Sequence, residues 1–437
     1  MPSPPTPDRP RSGAPASRPL VRVPVPPGAA GVEALLPALA SALDGSGPAI
    51  APVPTVTSTV SNSFVMSVLE AVRPDDAALP LESDDVAVVM ATSGSTGSPR
   101  GVLLTAAQLT ALTQVVNGRG AHGTAAPLWI AALPVTSMGG LNVLVRALAS
   151  GQHPVALPSL GGAEPFTPAA FAQAVHVASA RSSDVRVALV PAQVARLLTD
   201  EAGVDALRAC SSILVGGGPM RPSLRQMAGE VGVAVTTTYG ATETAGGCVF
   251  DGMPLPGVTV ATHAADGIVP GPGVLVIESP SVALGYRGEP VLTLHSFDGP
   301  RFITTDLGSV DPDGRVHVLG RADDVVVING VNVSPGAVER VLGDLPDVVS
   351  AAVVTVTVTG GSGEPAVCAF VEVRDAAPGI EDVGSAAVVE RLGPAARPRM
   401  VRRVARLPHL PNGKVDRRLL EQWASEPGHG ASEDRGH

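Results

Sequence analysis

The run Thr92-Ser-Gly-Ser-Thr-Gly-Ser-Pro-Arg-Gly101 gathers hydroxyls and glycines in one loop. Backbone N–H groups in such a turn point inward and, with the hydroxyls, make a nest for phosphate oxygens. No Gly-Lys-Ser/Thr closes the loop, so it is not the P-loop of a nucleotide-hydrolysing motor. A plain Gly/Ser linker would not be sandwiched between an apolar strand and a capped helix, which is where this loop sits. A second chemical clue is a solitary one. The chain has 30 basic side chains, and Lys414 is its single lysine. Lysine is a compact point charge on a flexible stem, whereas arginine is a planar fork. A position that keeps lysine in a chain rich in arginine points to a need for that geometry.

Three more motifs follow the loop along the chain: Thr238-Tyr-Gly-Ala-Thr-Glu243, Thr304-Thr-Asp306 with Arg321 in Gly320-Arg-Ala-Asp-Asp324, and Leu410-Pro-Asn-Gly-Lys414. In this order and spacing the sequence resembles the adenylate-forming superfamily of acyl-CoA synthetases, adenylation domains and luciferases. The resemblance implies ATP/AMP binding by Thr92, Ser93, Gly94, Ser95, Thr96, Gly97, Arg100, Gly217, Gly218, Thr238, Tyr239, Gly240, Asp306 and Arg321. It implies catalytic roles for Lys414, Glu243 and Thr242, with Glu243 holding Mg²⁺. Tyr239 is implied beside the adenine, Asp306 on the ribose hydroxyls, and Asp323 at the hinge between two domains. The chemistry agrees with these roles. Mg²⁺ favours one or two carboxylates plus substrate phosphates, and a carboxylate accepts two hydrogen bonds from a diol. A cation between a carboxylate and a polyphosphate offsets their repulsion as they join. One departure stands out: the family has Gly between Thr and Asp where this chain has Thr305, whose side chain must fit or shift the local turn.

Within that superfamily, Leu141–Leu148, Leu189–Leu198, Gly246–Leu255 and Arg22-Val-Pro-Val-Pro-Pro-Gly28 are similar to actinobacterial-type o-succinylbenzoate–CoA ligases of menaquinone biosynthesis. The resemblance implies ATP, Mg²⁺ and CoA as reactants, with 2-succinylbenzoate as the acid. Such an acid has two carboxylates; one reacts and the other needs recognition. Arg196, with Gly218 nearby in the acyl region, is the implied anchor, because an arginine fork suits a carboxylate. Leu133-Pro-Val-Thr-Ser-Met138 lacks the histidine these ligases carry after Leu-Pro-Val. Two competing readings remain at this stage. One is a ligase for another aryl or aliphatic acid, delivering to CoA or to a carrier protein. The other is a degenerate nucleotide-binding relative without catalysis.

The elements that must position these residues are legible in outline. Val86–Ala91 is a short continuous apolar run, as in a strand buried on both faces, and Thr105 is placed as a helix N-cap after the loop. Val185–Val190 before Pro191, Ser211–Val215 before Gly216-Gly-Gly-Pro219, and Val233–Thr238 repeat the strand–loop pattern. Strands alternating with helices predict an α/β fold with doubly wound sheets, whose ligands sit at the carboxyl ends of the strands. Short strands at Leu275–Glu278, Phe302–Thr305 and Arg315–Leu319 predict a small β subdomain. Beyond it, a hairpin across Asn329-Gly330, a helix from Ser334-Pro335 and strands at Val348–Thr359, Ala366–Val373 and Arg402–Leu407 predict a small, mobile α+β C-terminal domain, closing with a helix from Arg417. The expected divisions are a flexible proline-rich segment over 1–27, an N-terminal domain over 28–322 for ATP and the acid, and a C-terminal domain over 323–437.

Composition narrows the class. With 437 residues there is room for two or three domains. A net charge of −10 argues against a partner in nucleic acid or an anionic membrane surface. Three scattered cysteines provide neither a disulfide framework nor a zinc pair. No apolar leader opens the chain, so a cytoplasmic protein without membrane insertion is expected, with a homodimer as an open possibility.

Overall fold

The structure, a computed structural model, describes residues 18–92, 99–119, 125–264, 267–268, 273–322, 324–328, 331–357, 365–373, 379–408 and 415–425. Its first sheet has the strand order Leu20–Val25, Ala49–Pro54, Val86–Ala91, Gly101–Thr105, Gly285–Tyr286. The first three strands run parallel, and Gly101–Thr105 is antiparallel to both of its neighbours. Two expectations are corrected here. Residues 20–25 are not part of a flexible lead-in. They form the edge strand, where a proline leaves no ladder bond unmade on the open side. Arg18 pins the start of this segment through the carbonyls of Ala42, Gly47 and Val86. The loop after Ala91 does not run straight into a helix either. It returns through the buried strand Gly101–Thr105, and Thr105 then caps the helix Ala106–Thr110 in a box with Gln108. Val102-Leu-Leu104 carried that strand signal.

The second sheet is the doubly wound one. Its order is Met253–Pro254, Gly246–Phe250, Thr236–Ala241, Ser212–Val215, Val185–Leu189, Leu128–Ala131, Val155–Ala156. From Thr236–Ala241 to Val155–Ala156 every pairing is parallel. After Leu128–Ala131 the chain first adds a strand on one side, then crosses to the other at Val185–Leu189. That reversal is the switch point where such sheets open a crevice. The strand expected over Val233–Thr238 lies three residues later, at Thr236–Ala241.

The β subdomain contains the antiparallel strands Thr259–Ala264, Gly273–Glu278, Arg301–Val310 and Val316–Arg321. The third is far longer than Phe302–Thr305. It fits Thr304, Thr305 and Asp306 opposite the single residue Leu275, because Val274 pairs with Leu307 and Val276 with Ile303. This bulge re-aims the side chains around it.

The C-terminal region has its own core, including Val338, Leu342, Val353, Val371 and Val388. The hairpin Val326–Ile328 with Val331–Val333, the Ser334-capped helix Pro335–Gly343 and the pair Val348–Thr357 with Pro365–Val373 follow the sequence expectation. The strand expected near Arg402–Leu407 is Met400–Val404, parallel to Pro365–Val373. Helix Ile380–Leu392 was not apparent in the sequence. The Asn329-Gly330 turn lies outside the described residues. The architecture is the expected α/β one, with a large N-terminal part and a small α+β C-terminal part. Among the described residues no helix is long and apolar enough to cross a membrane. Cys248 and Cys368 are buried and Cys210 is half-buried. Burial pushes the Cys210 thiol up to about 12, the Cys248 thiol up to about 11, and raises that of Cys368.

Candidate active site

A cavity of about 250 Å³ opens at the switch point. Leu133, Pro134 and Val135, which follow one flanking strand, wall one side; Val190, which follows the other, faces them. Pro26 and Gly28 add a further wall, so the end of the proline-rich segment belongs to the site. Gly28 is held there by its N–H to the Leu160 carbonyl at 2.8 Å.

Thr92, Gly217, Thr238, Gly240 and Thr242, all singled out from the sequence, line this cavity together. Thr92 closes the neck of the Gly/Ser loop: its N–H donates to the Arg100 carbonyl at 2.8 Å, and the Arg100 N–H donates to Thr92 Oγ1 at 2.9 Å. Ser93, Gly94, Ser95, Thr96 and Gly97 lie outside the described residues. Two glycines are there for close approach. A Cβ on Gly240 would meet the Gly246 carbonyl oxygen at 2.1 Å, and one on Gly216 would meet Thr238 Oγ1 at 2.5 Å. Gly218, by contrast, faces open space and does not line the cavity.

Because side chains alternate along a strand, Tyr239 goes to the other side of Thr236–Ala241 from Thr238 and Gly240. Its hydroxyl donates to Asp306 Oδ2 at 2.7 Å. Burial, then the charge of Asp306, raises the Tyr239 phenol above its ordinary value. Asp306 stands at the bulge, its N–H on Thr304 Oγ1 at 2.9 Å, and it pairs in register with Arg321 on the next strand. The unusual Thr305 presents its side chain outward and is exposed, so the departure from Gly is absorbed by solvent. Beyond Tyr239, Glu243 sits in a short turn and accepts from the Tyr286 hydroxyl at 3.0 Å. Burial holds the Glu243 carboxyl above the usual range, offset by the Tyr286 hydroxyl and by the charges of Arg100 and Arg321. Arg100 also lies over the Tyr286 ring, 5.7 Å from its centre. The residues fit a magnesium nucleotide. Glu243 offers a half-buried carboxylate beside two guanidinium groups, and one carboxylate with phosphate oxygens suffices for Mg²⁺.

Arg196 is a correction. Its guanidinium donates to the Phe166 carbonyl at 2.7 Å, and it does not line the cavity. It sits at the far end of helix Pro191–Leu198, whose first turn is the part near the crevice. Lys414 and Asp323 lie outside the described residues. Sequence reasoning missed Tyr286, although it is one of only two tyrosines. It also missed Asn142 and Arg146, polar residues in the otherwise apolar helix Met138–Ala149, both of which line the cavity. Thr136 and Ser137 line the segment where the histidine is missing, and Ser137 caps that helix.

Residues 30–287 match the AMP-binding enzyme family, and residues 337–414 match the AMP-binding enzyme C-terminal domain. The chain belongs to this family of AMP-binding enzymes. It is 37% identical to a probable 2-succinylbenzoate–CoA ligase of Mycobacterium tuberculosis over 92% of this chain and 98% of the relative. It is 32% identical to a sulfoacetate–CoA ligase of Cupriavidus necator, over 79% of this chain and 69% of the relative. Among solved structures, the amide bond synthetase McbA from Marinactinospora thermotolerans superposes with a TM-score of 0.70 at 26% identity, covering 94% of this chain and 90% of that one.

Proposed function

We propose that this AMP-binding enzyme is an ATP-dependent acid–CoA ligase acting on 2-succinylbenzoate, the reaction used in menaquinone biosynthesis. The observation that carries the reading is the cavity itself. Thr92, Thr238 and Thr242 line the same cavity as the apolar Val135, Met138, Leu189, Val190 and Phe250. The hydroxyls suit phosphate oxygens, and the apolar walls suit an acid with an aromatic body. Near-full-length similarity to a relative named as a probable ligase for that acid supports the choice.

In the first step a carboxylate oxygen of the acid attacks the α-phosphorus of ATP. An acyl-adenylate forms and pyrophosphate leaves. The loop closed by Thr92 holds the phosphates, Asp306 receives the ribose hydroxyls while Tyr239 fixes its orientation, and Lys414 neutralises the approach of the two anions. Glu243 and Thr242 would hold Mg²⁺, which neutralises phosphate charge when bound. In the second step the small C-terminal domain turns about Asp323, withdrawing Lys414. The thiol sulfur of CoA attacks the acyl carbon, and AMP leaves. No protein nucleophile is required, in keeping with thiols held protonated by burial.

Purified protein with ATP, Mg²⁺, CoA and 2-succinylbenzoate is expected to release pyrophosphate and form the thioester. Absence of pyrophosphate with this and every other aryl or aliphatic acid would falsify the ligase reading and leave the non-catalytic relative. Pyrophosphate without thioester would move the acceptor from CoA to a carrier protein or, as the name of McbA suggests, an amine. The acids named for the two sequence relatives both carry a second anionic group: a second carboxylate in one, a sulfonate in the other. The cavity therefore has to accommodate an anion besides the one that reacts.

A further inference from the structure

Three arginines are buried among the described residues, Arg146, Arg186 and Arg287, at 8%, 0% and 2% exposure. Two of them are saturated. Arg186 donates to both oxygens of Asp184, at 2.8 and 2.7 Å, and to the Val116 carbonyl at 3.0 Å. Arg287 donates to Glu82 at 2.9 Å and to the carbonyls of Val72, Arg73, Leu79 and Pro80. Arg146 differs. Its guanidinium has no hydrogen-bond acceptor and no acidic partner among the described residues; its one side-chain contact of note is the Trp129 ring, 5.2 Å away. None of its nitrogens is sealed off, since the one buried side-chain polar atom without a partner among the described residues is Arg73 Nε. Arg146 lines the active-site cavity and, with Asn142 and Gly247, also a small second cavity of about 10 Å³ beside Gln108, Leu109 and Leu112.

Helical spacing explains how it gets there. Met138, Asn142 and Arg146 are four residues apart, so they lie on one face of helix Met138–Ala149 and all three line the cavity. From Met138 to Arg146 this wall runs about 12 Å at 1.5 Å per residue. Asn142 is already used, its Nδ2 donating to the Ala245 carbonyl at 2.8 Å. Trp129 is also fixed, its Nε1–H on Asn117 Oδ1 at 3.2 Å, so the aromatic platform under Arg146 does not drift. A buried cation without an anion is expensive, and removing its partner from a buried pair is strongly destabilising. Burial, with repulsion from Arg186, pulls the Arg146 guanidinium down to about 10, which still leaves it charged at neutral pH. A ring face and the end of a helix ease that cost but supply no acceptor.

Resting on the proposed acid–CoA ligase reading, we infer that Arg146 is the anion subsite of the acid pocket: it receives the substrate's second, non-reacting carboxylate in a forked ion pair, in the place expected for Arg196. The substrate class is then an acid bearing a second anionic group across an apolar body. A guanidinium fork matches a carboxylate by two parallel hydrogen bonds. The fixed Trp129 ring holds the fork in place before the acid arrives.

The test compares kcat/KM for pyrophosphate release with 2-succinylbenzoate against two analogues that keep one carboxylate each, 4-oxo-4-phenylbutanoate and 2-butanoylbenzoate. The wild-type protein is expected to prefer the diacid by roughly 100-fold or more, the size of a buried charge-assisted pair. Arg146→Gln should collapse that preference by about 100-fold without raising KM for ATP, and Arg146→Lys should collapse it by about tenfold. Equal losses for diacid and monoacids, or a wild type indifferent to the second carboxylate, overturn the assignment. The wild-type comparison stands even if the glutamine variant does not fold. Should the protein activate sulfoacetate and not 2-succinylbenzoate, the proposed acid fails, while Arg146 is judged by the same ratio on sulfoacetate against acetate. A preference for monoacids throughout overturns Arg146 whichever acid is native.

Discussion

Glu243 has to be an anion for the proposed chemistry, yet its surroundings favour the neutral form. A carboxyl whose folded pKa is raised above the unfolded value contributes stability below the unfolded pKa, near 4.5, and loses it as pH rises through the folded pKa. Above the unfolded pKa, keeping the Glu243 carboxyl in this site therefore costs the fold stability in the absence of nucleotide. Glu243→Gln is expected to melt higher than wild type at pH 8, by about 2 °C per kcal/mol relieved in a chain of this size, with the gain shrinking toward pH 4.5. The same variant should lose activity by about 100-fold, since it no longer neutralises the nucleotide's metal ion. Thermal melts across pH 4.5–8 check this; a gain independent of pH would show that Glu243 is not the titrating group. At this scale the sequence singled out residues that the structure brings together. Thr92, Thr238, Gly240 and Thr242 meet in one cavity, and Tyr239, Asp306 and Glu243 assemble beside it. What could not be read was direction. Arg196 and Arg146 are both arginines on helices next to apolar runs, and composition does not say that one turns to the Phe166 carbonyl while the other lines the cavity.

At the level of the element, the site is built from strand ends, and glycine decides how closely they approach. Gly240→Ala drives a Cβ into the Gly246 backbone, which cannot move aside as a side chain can. It should cost about 2–3 kcal/mol, as for an overpacked core, and lower the urea midpoint with little change in m. Gly218→Ala meets nothing within 4 Å and should stay within about 0.5 kcal/mol of wild type. A reversed order of these two midpoints would refute the account of the glycines. Strand runs such as Val185–Leu189 and Ser212–Val215 were readable because they are short, apolar and bounded by Pro or Gly. The strands Leu20–Val25 and Gly101–Thr105 were not. One holds Pro24, tolerated at an edge, between flanking Pro19 and Pro26, and the other abuts a loop whose chemistry drew the eye. The bulge at Thr304–Asp306 was equally invisible, because it depends on register with Gly273–Glu278 rather than on local sequence.

For the whole molecule, the proposal requires a small domain to carry Lys414 to the nucleotide and away again. Lys414→Ala should depress adenylate formation at least 100-fold while leaving thioester formation from supplied acyl-adenylate within about threefold. Equal loss in both half-reactions, measured by pyrophosphate release and by thioester yield, would remove the assigned role. The change near residue 255 from strand–helix alternation to short strands between Gly, Asp and Pro marks the β subdomain, and the hairpin, helix and strand pair beyond Asp324 mark the small α+β part. The relative placement of the parts was not legible in the sequence, since it rests on contacts such as Arg221 to the Val348 carbonyl and Arg340 to the Leu319 carbonyl, which join segments distant in the chain. The raised pKa of the thiols has one more consequence. An enzyme that handles a free mercaptan at every turnover risks being capped by it, and exchange needs a thiolate on the protein. With Cys210 and Cys248 kept protonated far above neutral pH, that side reaction is suppressed, and storage with the oxidised dimer of coenzyme A should add no mass to the folded chain.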